Sequence, residues 1–151
     1  MDIILRGGLA GLIGFTVCSV INLALYKLGL LPSTDFHYNA ILLHSAGTPL
    51  TSLTWASGII MGYVSGALLG VLIAYLFNRT GDDYSWLKGL GVGIAFWPVH
   101  VAIIPNLLAS RLYSVLPPIM VLACFFFTAI FGSVTGLMVK YFGTYNKAGL
   151  R

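Results

Sequence analysis

The sequence predicts an all-α integral membrane protein: four transmembrane helices in an antiparallel bundle, with both termini cytoplasmic. Three observations point there. Hydrophobic residues fill 58% of the 151 positions and charged residues only 8%, whereas soluble domains carry about a quarter charged residues to face water. The apolar residues gather into four runs, each long enough to cross about 30 Å of hydrocarbon as a helix. The connections between runs are short, which makes sequential helices antiparallel neighbours. The whole chain, 1–151, therefore reads as a single transmembrane domain.

The first helix is expected over about 3–25. It follows Met1 and Asp2 with no basic n-region and no small-residue cleavage site, so it is expected to stay as a span rather than leave as a signal peptide. The next stretch, 32–49 ("PSTDFHYNAILLHSAGTP"), is too polar to cross. Phe36, Tyr38, Ile41, Leu42 and Leu43 give it enough apolar surface for a short interfacial helix at about 35–45, lying on the membrane boundary or dipping into it. A plain extracytoplasmic loop is the alternative. The second span covers about 53–77, and a tight polar turn, 78–86 ("NRTGDDYSW"), leads to the third at about 87–109. The fourth, about 118–142, opens at Pro117–Pro118, where proline starts a helix without forfeiting a needed hydrogen bond.

The net charge of +4 reports orientation rather than nucleic-acid binding, because the basic residues stand singly between apolar blocks and form no phosphate-binding stripe. Arg6, Arg79, Lys88, Lys140, Lys147 and Arg151 fall on the side of the termini, against Lys27 and Arg111 on the other. That six-to-two bias predicts a multi-pass protein of a cell inner membrane or plasma membrane, N-in and C-in.

Gly58, Gly62, Gly66 and Gly70 recur every four residues in the second span, so they share one helix face and leave a groove for another backbone, in the manner of a glycine zipper. Gly7 and Gly11 in the first span, and Gly132 and Gly136 in the fourth, continue the theme. Such grooves seal helices within one chain or join copies into an oligomer. A duplicated helical hairpin is a further expectation: "RGGLAG" at 6–11 resembles "KGLGVG" at 88–93, and "GALLGVLIAY" at 66–75 resembles "GSVTGLMVKY" at 132–141.

The run "FWPVHVAIIPNLLASR", 96–111, breaks the third span. Pro98 and Pro105 lack the N–H groups that Ile94 and Val101 carbonyls need, and bared acceptors in a bilayer must find partners. His100 sits between the breaks. With Asn22 on the first helix, Asn106 and Arg111, it outlines a candidate polar cleft in the outer half of the bundle, under a loop that carries Asp35, His37 and His44. The competing reading is structural: Asn22 and His100 bond across helices, and Arg111 snorkels to headgroups.

No catalytic constellation emerges. The acids are Asp2, Asp35, Asp82 and Asp83, and none lies in a span, which argues against a carboxylate proton relay. Cys18 and Cys124 sit in apolar runs as small hydrophobes, and no spacing suits a metal. No resident cofactor is implied. Bound lipid is expected, and ligation of a metal or haem by a histidine is the residual reading.

The segment "WLKGLGVGIAFWPVHVAIIP", with its basic residue and glycines opening a span ahead of Trp97, His100 and Pro105, resembles the small bacterial inner-membrane proteins grouped around YqhR and YagU. The resemblance implies a bacterial four-helix membrane protein and carries over no catalytic residue. Besides a membrane enzyme or cofactor-binding module, two function classes follow from the residues. One is a structural or accessory subunit, not an enzyme, that packs against another membrane protein or a second copy. The other is a small oligomeric transporter or channel that uses the broken third helix.

Overall fold

The computed structural model describes residues 2–44, 49, 51–108 and 117–148. It contains α1 (Ile3–Lys27), α2 (Asp35–Leu43), α3 (Ser52–Thr80), α4 (Ser85–Pro98), a π turn (Val99–Ile103), α5 (Ile104–Leu108) and α6 (Pro118–Ala148). Four stretches are long and apolar enough to cross a membrane: Ile3–Lys27, Ser52–Thr80, Ser85–Ile103 and Pro118–Gly143. The chain thus has a multi-pass, all-helical membrane architecture.

Glycine decides which helices meet. A methyl group placed on Gly11 would overlap the carbonyl of Gly66, and one on Gly70 would overlap the carbonyl of Gly7, so α1 and α3 touch backbone to backbone. A second seam joins α4 to α6, where Gly89 and Gly132 each meet the other's carbonyl and Gly136 meets that of Ser85. Ile60, Val64, Leu68 and Leu72, on the opposite face of α3 from its glycines, are all more than half exposed and form the surface offered to lipid.

The two seams share one contact register. Gly66 and Gly70 meet Gly11 as Gly132 and Gly136 meet Gly89. In this register Gly11 corresponds to Gly89, an offset of 78, while Gly66 corresponds to Gly132, an offset of 66. The sequence alignment of 6–11 with 88–93 paired Gly11 with Gly93 instead. The contacts shift that pairing by one helical turn, because what must match in a seam is the backbone approach and not the spelling of the glycine pattern.

The hairpins join through α1 and α6. Gly14 lies against Thr135 and Phe131, Cys18 Sγ donates to the Phe127 carbonyl at 3.3 Å, and Arg6 Nε donates to the Val139 carbonyl. Ala10, Ile73, Ala74, Phe77 and Val139 fill the core toward the end that carries the N-terminus of α1. At the turn between α3 and α4, Lys88 Nζ donates to the carbonyls of Thr80 and Gly81, at 2.9 and 3.0 Å. The packing order is α3, α1, α6, α4. The outer pair, α3 and α4, barely touch, which leaves the bundle open along that side.

The third span is not one continuous α-helix over 87–109. Pro98 and Pro105 bracket a five-residue π turn in which the Ile104 N–H reaches Val99 O, one residue farther than in an α-helix. The same register directs the His100 carbonyl to Pro105, which has no N–H to give.

Candidate functional site

The site begins with a chain reversal. After Lys27, Gly29 adopts a positive φ of 75°, which glycine tolerates without steric cost, and the chain turns back toward the bundle. Thr34 then caps α2: its Oγ1 accepts the His37 N–H, while His37 Nδ1 accepts the Thr34 N–H, both at 3.3 Å. A histidine fills the role that glutamate or glutamine ordinarily has in a capping box. Partial burial lowers the His37 pKa, in keeping with a neutral ring whose Nδ1 is an acceptor.

At nine residues α2 cannot span a membrane, yet Tyr38, Asn39 and Ala40 are buried. It docks on α3 at Gly58, where a methyl group would overlap the Phe36 carbonyl. Asn22 Oδ1 receives the Asp35 N–H at 3.0 Å, and Ser19 Oγ donates to Asp35 Oδ2 at 2.7 Å. Ser19 lies eight residues before Lys27, roughly 12 Å down the helix, so α2 starts well inside the bundle. Tyr38 Oη donates to the His100 carbonyl at 2.7 Å, supplying the partner that Pro105 withholds. By these contacts α2 bridges α3 and the π turn across the open side.

Beneath α2 lies a cavity of about 120 Å³. Asn22, Asp35, Tyr38, Asn39 and His100 line it beside α2 and Ser65 and Thr128 add hydroxyl groups, while Phe15, Leu69, Val92, Phe96, Phe127 and Phe131 supply apolar walls. Gly62, Gly66 and Gly93 make room by lacking side chains, and both cysteines face the space. The His100 ring packs against Tyr38 at 5.0 Å and Phe96 at 6.1 Å between centroids. Asp35 has an elevated pKa, chiefly because burial disfavours its charge; the Ser19 hydroxyl and backbone N–H groups act in the opposite sense.

Asn22 and His100, both anticipated from sequence, are brought to this site. They do not bond to each other; each addresses α2. The side chain of Asn106 and the whole of Arg111 lie outside the described residues. His37 turns away toward Trp55, ring centroids 4.4 Å apart, and His44 Nε2 pairs with Ser57 Oγ at 2.8 Å, so the two histidines do not form a ligand pair. Asp35, which the sequence placed in the loop above the cleft, lines the cavity itself. It lies in no spanning helix, but the chain reversal carries it against α1. The capping sequence around Thr34 announced a helix start, whereas nothing local announced its depth. Among the described residues no cluster of three or more metal-ligating side chains occurs.

No protein family, curated protein or solved structure matches the chain.

Proposed function

We propose that this chain is a small membrane carrier that receives a solute in the cavity under α2. The observation that supports the reading is the cavity itself: Asn22, Asp35, Tyr38, Asn39 and His100 gather beside α2 around a largely apolar space between helices, next to a proline-bracketed π turn and along the side where the bundle is open. Broken helices create solute sites in this way, because their freed backbone groups face the cavity. The π turn and α2 meet through the hydrogen bond from Tyr38 to the His100 carbonyl and the contact of the two rings, and they are the elements whose movement would admit a solute. The six-to-two basic bias supports a cytoplasmic position for both termini in an inner or plasma membrane, with α2 facing outward.

The accessory-subunit reading drew on few polar residues, compact loops, and glycine-lined and aromatic faces that could hold a partner. Gly7, Gly11, Gly58, Gly66, Gly70, Gly132 and Gly136 all meet backbone or side chains of this same chain, and Gly62 is covered by the Phe15 ring. The carrier reading therefore has the stronger footing. Its test uses the native thiols. Iodoacetamide added at alkaline pH, since alkylation needs the thiolate and apolar surroundings disfavour it, to protein reconstituted in lipid vesicles, followed peptide by peptide by mass spectrometry, is expected to modify Cys124 in the folded state. Ser65→Trp, which fills the cavity from α3, is expected to block the reaction. A Cys124 that stays unreactive until the protein is denatured would overturn the reading.

A further inference from the structure

We propose that the solute is a small organic cation, an ammonium group on an aryl or alkyl body, with the Asp35 carboxylate as its counter-charge. This inference rests on the carrier reading and names the chemical class that the cavity accepts.

Three features select a cation. First, among the described residues that line the cavity Asp35 is the one acid, and no lysine or arginine accompanies it. A carboxylate drawn into apolar surroundings needs a counter-charge or a proton, since isolated buried charge is strongly disfavoured. Among the described residues no cationic side chain forms an ion pair with it. Second, the hydrogen bonds it already has do not exhaust it. Ser19 donates to Oδ2 and the Phe36 N–H to Oδ1, whereas an ionised carboxylate offers about four acceptor sites. Third, the remaining walls suit the body of such a solute. Phe15, Phe96, Phe127 and Phe131 surround the space, and aromatic faces attract ammonium groups as well as apolar ones.

The alternatives fit less well. A hard metal cation requires about six oxygen ligands, and the walls beyond Asp35 are largely carbon. Asn22 Oδ1 is already engaged by the Asp35 N–H. An anion would meet the Asp35 charge with no basic residue among the described lining residues to offset it. A proton would neutralise Asp35 and leave the apolar part of the cavity unfilled. On α1 the lining runs from Phe15 to Asn22, seven residues or roughly 10 Å, which matches a single aromatic ring carrying a short amine.

The test compares three probes of one shape, benzylamine, benzyl alcohol and benzoate, binding to the full-length protein in lipid nanodiscs by calorimetry at neutral pH. Benzylamine is expected to bind at least tenfold more tightly than the other two. Asp35→Asn is expected to erase that preference, and Asp35→Glu to retain it. Equal affinities for the three probes in the unaltered protein would overturn the proposal without any variant being needed, and so would an undiminished amine preference in a folded Asp35→Asn protein. Either result leaves the carrier reading standing. If none of the probes binds and Cys124 is also closed to iodoacetamide, the cavity reading fails as well, and the two failures are thereby distinguished. Cys124 labelling that benzylamine does not slow, while benzyl alcohol does, counts against the cation and for the cavity.

Discussion

The two glycine-sealed hairpins share a contact register, but they diverge one turn beyond Gly11 and Gly89. In the first, α1 carries Phe15 one turn beyond Gly11, and its ring covers Gly62 of α3. In the second, the corresponding position one turn beyond Gly89 is Gly93, which meets the Thr128 carbonyl directly and continues the seam. Phe15 therefore acts as a wedge. Above it α1 and α3 separate, Gly58 is left for α2, and the space beside Gly62 becomes cavity. Farther along, Asn22 and His100 stand eleven residues beyond Gly11 and Gly89 respectively. One holds α2 through a side-chain carbonyl, the other through a backbone carbonyl that a proline has left free. The difference teaches that glycine sets how closely helices approach, whereas the residue that ends the run of glycines sets where they part.

Exchanging the diverging residues should break the comparison most severely. Gly93→Phe would drive a ring into the Thr128 backbone and is expected to cost about 3 kcal/mol, the upper part of the overpacking range. Gly91→Phe, on a face with nothing within 4 Å, should stay within about 0.5 kcal/mol of the unaltered protein. Chemical unfolding in detergent measures both. The reverse change, Phe15→Ala, removes the wedge and its edge contact with Tyr63, centroids 4.9 Å apart. Phe15 is half-buried, so the expected loss is about 2 kcal/mol, below the range for a fully buried phenylalanine. It should be accompanied by faster hydrogen exchange in α2.

Smaller effects sharpen the role of the π turn. Tyr38→Phe leaves the His100 carbonyl without its donor and should destabilise by about 1–2 kcal/mol. Pro105→Ala restores an N–H at the position to which the π register directs that carbonyl. In that background Tyr38→Phe should cost less, with a coupling of about 0.5–1 kcal/mol in a double-mutant cycle. Strict additivity would show that the proline and the tyrosine are independent.

The smallest expected effect is on pH dependence. The folded-state pKa of Asp35 is raised above its unfolded value, so its favourable contribution is full below the ordinary carboxylate range and is lost as pH rises through the raised value. The empty protein should thus lose some thermal stability over that interval, and Asp35→Asn should flatten the profile there. His37, whose pKa is lowered, contributes the opposite slope nearer the ordinary histidine range and is retained in both proteins. A difference profile that rises instead with pH would contradict the burial of Asp35.

The four spans were readable because hydropathy is a property of consecutive residues and needs no partner to express itself. The face that Gly58, Gly62, Gly66 and Gly70 share followed equally from helical periodicity. Pro98 and Pro105 also marked a break, since each removes a hydrogen bond within its own helix. Which surface each glycine would meet was decided only in three dimensions: Gly58 took α2, Gly62 the Phe15 ring, and Gly66 and Gly70 the backbone of α1. Asp35 illustrates the same limit. Its sequence neighbours are those of a polar loop, and its place beside Ser19 arises from a reversal at Gly29 together with the docking of α2 on a residue far along the chain. Local composition determines what a segment can bury, but the depth to which a short helix sinks depends on whether two other helices leave it a gap. Here a single phenylalanine holds that gap open.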